Sequence, residues 1–358
     1  MSKLIKKDLS IEVMRIISAF FVIFNHGGGF HLFQQYETGG LKFYTYLFIS
    51  IFCKFAVPLF FMISGALLFG REEPIKVVYK KRVCKTLLIL VGISVAYYVD
   101  GLIFGRCPLE GWRNIWLFGG ELLSAGVKSH LWFLYSYIVL LMLLPFLRVL
   151  IKGMTQNVII YLCILTIGFN CVVPVVQYLL FQGEYKIDTS FSIFTMRNIA
   201  APIIGYWLYN RLDYSKVHNK HIVFLWMINV ISICVACLMT HMTIIKIGTN
   251  SGYEVEQFFY SFATLNAATI FITIKKYYKS AKTAWVNKTV AAMGGATFGI
   301  FLFHYLLFHL NWFNYIAVIL TQIGMPMTGW LIAAGVFFVI NLIFVLILKK
   351  IPFINKYI

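Results

Sequence analysis

Arg15 and His26 stand eleven residues apart inside one apolar stretch, Leu9 to Phe30. On an α-helix that separation is about 1100° of turn and about 16 Å of rise, close to three whole turns. The spacing predicts both side chains on one face, stacked along the helix. A charge in hydrocarbon costs at least ~2.5 kcal/mol, and such residues usually face a water-filled or protein-lined space. An aligned pair therefore points to a polar channel entering the bilayer. Glu12 precedes Arg15 by three residues, close enough on the helix surface to pair with it. A neutral imidazole can act as a general base at neutral pH, so His26 is the candidate catalytic base, with Arg15 and Glu12 beside it. Any such chemistry is expected to weaken in acid. The bland alternative is a neutralised Glu12–Arg15 pair near the interface and a histidine that merely satisfies its helix. Gly27, Gly28 and Gly29 follow at once and predict that the helix ends or loosens there.

A second constellation lies in GREEPIKVVYKKRVCK, Gly70 to Lys85, expected to form a loop. Lys80, Lys81, Arg82 and Lys85 crowd together in it. Ordinary positive-inside charge attracted to anionic lipid explains such a patch. So does a site for the phosphates of a nucleotide-type donor such as coenzyme A, for which Lys offers a point charge and Arg a fork. Further polar residues fall within apolar stretches: Ser64, His130, Asn266, His304 and Asn341. Helix–helix hydrogen bonding accounts for any one of them. His130, followed by Trp132 and Phe133, is also a candidate for the acceptor pocket, as is His304.

The elements that must position these groups are membrane helices. Only 12% of the 358 residues are charged, 60% are hydrophobic, and the mean hydropathy is +0.82. A soluble domain carries about 25% charged residues, so the fold class is an all-α polytopic bundle with nothing left for a separate soluble domain. Apolar spans of the required length are expected at 9–31, 43–69, 86–105, 130–151, 157–181, 193–209, 221–245, 256–274, 290–313 and 328–348, ten in all. The first reads as a retained helix, not a removable leader. Of the 31 Lys and Arg, 22 fall in connections on one side and 7 on the other, with Arg15 and Lys54 inside spans. That asymmetry places both termini in the cytoplasm. It also accounts for the net charge of +18 without a nucleic-acid partner. The seven cysteines are mostly within spans and read as small hydrophobes. Cys234 and Cys237 have CxxC spacing in ISICVACLM but no polar partners, so neither a metal site nor a disulfide framework is expected. No internal repeat is visible.

Taken in order, these segments resemble the acyltransferase-3 family of bacterial membrane acyltransferases. The resemblance rests on an arginine, ten residues and a histidine in the first helix (Arg15, His26), with an acidic residue before them. It extends through PLFFMISGALLF from Pro58, the basic KKRVCK, HLWFLYSYIVLLMLLPFLR from His130, and FGIFLFH ending at His304. In one place the chain departs: relatives often carry two arginines separated by two residues, where this chain has Arg82 and then Lys85. The resemblance implies a multi-pass protein of the bacterial plasma membrane, lacking the extra hydrolase-like domain of some relatives. It implies transfer of an acyl group, acetyl above all, from cytoplasmic acyl-CoA to a hydroxyl of a surface polysaccharide or lipid-linked sugar. Acetyl-CoA would be a substrate, with no permanently bound cofactor and no metal. The basic cluster would hold its nucleotide, Arg15 would line the path of its arm, and His26 would deprotonate the acceptor. Against this stand a proton-coupled carrier or glycan exporter, which intramembrane Arg, Glu and His would also suit, and a sensor or scaffold. Consumption of labelled acetyl-CoA separates them.

Overall fold

The structure is a computed structural model that describes residues 8–105, 113–124, 126–181, 197–308, 315–316, 318–319 and 326–358. The N-terminal lysines, Cys107, and parts of the expected spans at 193–196 and 309–313 lie outside the described residues. Every described element is a helix. Among the described residues, eight segments are long and apolar enough to cross a membrane: Leu9–Gln35, Leu41–Leu68, Ile75–Ile103, Ser129–Lys152, Gln156–Phe181, Asn219–Ile247, Ala284–Phe308 and Thr328–Leu348. Of the two other expected spans, 193–209 is described only from Arg197, on the helix Arg197–Asn210, and 256–274 holds the helix Ala263–Tyr277 with 15 residues. At about 1.5 Å per residue the Ala263–Tyr277 helix does not cover a ~30 Å hydrocarbon core by itself.

The first helix, α1 (Leu9–His26), is capped by Asp8, whose side chain accepts from the Ser10 amide. It ends where the glycines predict. Gly27 is its C-cap, Gly28 adopts a left-handed φ of 96°, and the chain continues as the 3-10 turn Gly29–Gln35. A side chain at Gly29 would meet the Phe24 ring at 2.6 Å, so only glycine lets the turn fold back onto α1.

The second segment runs as α2 (Leu41–Phe52), a 3-10 turn at Cys53–Phe55, and α3 (Ala56–Leu68). The interruption follows from Pro58. It has no N–H for the carbonyl of Lys54, and its ring crowds that carbonyl, so the helix tightens just ahead of it. The third segment corrects the expected loop. The connection is short and ends at Pro74, and Lys80 to Lys85 sit on a continuous helix, since IKVVYKKRVCK contains no breaker. That helix opens at Ile75–Val78, widens to a π turn at Tyr79–Val83, and continues as α4 (Cys84–Ile103). Next come α5 (Arg113–Leu123), α6 (Trp132–Lys152), α7 (Gln156–Ile167), α8 (Val173–Phe181), α9 (Arg197–Asn210), α10 (Asn219–Ile247), α11 (Ala263–Tyr277), α12 (Ala284–Phe308) and α13 (Pro326–Leu348).

Two small-residue crossings draw the bundle together. A methyl at Gly65 on α3 would overlap the Pro202 carbonyl on α9, and one at Gly205 would overlap the Met62 carbonyl. The two backbones thus touch reciprocally, which is how membrane helices gain contact where there is no hydrophobic driving force between them. The second crossing joins α1 to α12. A methyl at Gly294 would overlap Glu12, whose Cα lies 2.9 Å from that position. Gly294 is therefore what allows a buried carboxylate between the two helices.

Candidate active site

Arg15 and His26 open onto one cavity of about 620 Å³, as a single shared face requires. Glu12 lies behind this wall, 2% exposed. Arg15 donates from Nη1 to both Glu12 oxygens, at 3.2 and 3.4 Å. The pair is locked by α12, and Gly294 itself lines the cavity.

Hydrogen-bond roles at His26 can be assigned by elimination. His304 Nδ1 lies 2.8 Å from the carbonyl oxygen of Phe301. A carbonyl only accepts, so Nδ1 carries the hydrogen, and the neutral ring keeps its lone pair on Nε2. His26 Nδ1 is 2.8 Å from that Nε2. His26 must then donate through Nδ1, which leaves its Nε2 as the basic atom. The two rings are nearly parallel, 9° apart with centroids 5.1 Å apart. His304 is fully buried and is not among the residues lining the cavity. FGIFLFH turns His304 toward the back of His26, and the sequence expectation of a substrate contact meets a residue that lies outside the cavity lining.

His130 and Trp132 do line the cavity. His130 stacks on Tyr305, with centroids 4.5 Å apart, and stands edge-on to Tyr97 and His304. Its centroid is 6.2 Å from that of His26. It is buried, and neither ring nitrogen has a hydrogen-bond partner among the described residues.

The basic cluster divides. Lys81, Arg82 and Lys85 line the cavity, whereas Lys80 is exposed and not among the lining residues. Arg82 is held in a two-pronged pair with Glu73, Nε to Oε2 at 2.9 Å and Nη2 to Oε1 at 2.6 Å. Arg148 reaches the same carboxylate at 2.9 Å. The Arg82 hydrogen bonds, with Arg148 adding to them, hold the Glu73 carboxyl down at about 2. Lys85 projects over the Tyr357 ring, 5.9 Å from its centroid.

Lys54 was overlooked as a site residue, although an ionisable residue inside a span was signal enough. It lines the cavity, 7% exposed. Glu73 and Arg148 were also missed, and nothing local in the sequence pairs residues 75 positions apart. In total the cavity presents Arg15, Lys54, Lys81, Arg82 and Lys85, with no Asp or Glu side chain among its lining residues. Such a wall is chemically suited to an anionic ligand, and His26 on the same wall offers the lone pair of a neutral imidazole.

No curated protein and no solved structure matches the chain. A family model described as an acyltransferase domain, Acyl_transf_3, matches residues 8–349, nearly the entire length. With its membrane-length helices, this chain belongs to the acyltransferase-3 family and is a membrane acyltransferase.

Proposed function

We propose that this protein moves an acyl group, acetyl above all, from cytoplasmic acyl-CoA to a hydroxyl of a surface polysaccharide or lipid-linked sugar at the bacterial plasma membrane. Lys81, Arg82 and Lys85 receive the phosphates of the donor, and its uncharged arm passes Arg15. At the far end His26 Nε2 takes the proton of the acceptor hydroxyl as the oxygen attacks the thioester carbonyl. The C–S bond then breaks, and the departing thiolate recovers that proton from the imidazolium. Arg15 shapes the passage and is in turn held by Glu12. His130 and Trp132 stand on the wall near His26, where the acceptor must come.

The observation that carries this reading is the run from the Phe301 carbonyl through His304 to His26. It supports a base with its lone pair on Nε2, on the wall of the cavity that also holds the cations. The test is transfer of label from [14C]acetyl-CoA in membrane vesicles containing the full chain. Wild-type protein consumes the donor and labels an envelope component, and His26→Ala loses at least 100-fold, the lower range for general-base catalysis. Wild-type transfer by His26→Ala would remove His26 from the chemistry.

A further inference from the structure

The reaction leaves one cavity cation without a task. An acyl-CoA carries its negative charge on its phosphates, at the nucleotide end, and its arm and thioester are neutral. Lys81, Arg82 and Lys85 answer those phosphates, and Arg15 is paired with Glu12. Lys54 belongs to a different part of the molecule. It occupies the 3-10 turn in the middle of the Leu41–Leu68 segment. Asn25, the residue before His26, donates to the carbonyl of neighbouring Cys53 at 3.3 Å, so the turn sits beside the base. From there the ammonium extends over the faces of Tyr260 and Phe259, 5.0 and 5.7 Å from their centroids. Phe259 packs on Phe33, in the turn that follows His26. The Lys54 ammonium thus lies at the His26 end of the cavity, away from Arg82 and Lys85.

Burying an ammonium costs several kcal/mol. The two ring faces offset part of this, as does Glu256, which acts on Lys54 electrostatically but does not line the cavity. Tyr260, the nearer ring, lines the cavity with Lys54. The donor brings no negative charge to the His26 end, so the substrate whose charge meets Lys54 is the acceptor. We infer that the acceptor is anionic, and that Lys54 on the Tyr260 wall binds its phosphate or carboxylate while its hydroxyl reaches His26. This rests on acyl transfer at His26 and adds the charge of the acceptor to it.

The experiment uses purified full-length protein, [14C]acetyl-CoA, and graded amounts of a cell-envelope extract as the acceptor source. Labelled product is freed of donor and passed over an anion exchanger. Wild-type product is expected to be retained. Lys54→Met is expected to need at least 10-fold more extract for half-maximal rate, with the same maximal rate and the same donor requirement, and Lys54→Arg to recover most of the difference. Monodisperse protein in detergent normalises the rates. Mild acid, which cleaves a glycosyl phosphate and spares a carboxylate, tells the two anions apart. A neutral labelled product overturns the inference and leaves acyl transfer standing. So does a Lys54→Met protein with wild-type behaviour at every extract level. A maximal-rate loss that added extract does not relieve also overturns it, since Lys54 would then act on the reacting carbonyl. A wild-type protein that transfers no label overturns the proposed function and this inference together.

Discussion

Replacing His304 by Phe tests whether the arrangement behind His26 matters to the chemistry. The ring volume and the near-parallel stack with His26 survive, while the acceptor of the His26 Nδ1–H is removed. Leaving a buried donor unsatisfied costs about 1–3 kcal/mol. The His26 ring can escape that cost by shifting its hydrogen to Nε2, which abolishes the base. At about 1.4 kcal/mol per tenfold, the productive form falls by a factor of roughly 5 to 150. The maximal rate of acetyl transfer in vesicles should fall by the same factor. The donor concentration for half-maximal rate should not move, since His304 does not line the cavity. His304→Gln, whose Oε1 can accept, should recover part of the loss. A Phe variant within threefold of wild type, or a Gln variant no better than Phe, would refute the assignment of Nε2 as the basic atom.

Arg82→Ala combined with Lys85→Ala should raise the donor requirement by at least tenfold with little change in maximal rate, measured by titrating acetyl-CoA; an unchanged requirement reduces the patch to lipid contact. Glu73 is held near 2 against an ordinary value near 4.5, so its pairing contributes fully above about pH 4.5 and is lost as pH falls toward 2. After allowance for solvent screening this amounts to on the order of 1 kcal/mol. The melting temperature of detergent-solubilised protein should drop over that window, and Glu73→Gln should flatten the drop while lowering the neutral-pH value. Gly294→Ala places a methyl against Glu12 and should cost about 1–3 kcal/mol by overpacking, read as a lower melting temperature together with reduced transfer. A Gly294→Ala protein with wild-type melting would mean that α1 and α12 have room to part.

The helical class and the shared wall of Arg15 and His26 were legible in the sequence because both are periodic. Hydropathy marks membrane helices, and eleven residues make three turns whatever the tertiary contacts. The expected span at 256–274 gives a helix of only 15 residues, α11, because composition says nothing about where a helix starts or stops within an apolar run. The basic cluster was placed on a loop because its charge masked a stretch with no helix breaker. The place of His304 behind His26 depends on a rotation angle that the sequence does not give. On α12, apolar on most sides, the sequence does not reveal which residues face a cavity and which face a neighbour. The Glu73 bridge between Arg82 and Arg148 arises only when the third segment and α6 meet.

The sign of the cavity wall has a further consequence. An enzyme that admits a substrate from the cytosol into the thickness of a bilayer risks short-circuiting the membrane potential. Here the cavity wall carries Arg15, Lys54, Lys81, Arg82 and Lys85, and even with Glu12 and Glu73 paired behind Arg15 and Arg82 the cations are in surplus. Protons, sodium and potassium meet a like-signed barrier, while a polyanion is drawn in. The lysines and arginine proposed to hold the donor would thus also oppose a leak of small cations while the site stands open.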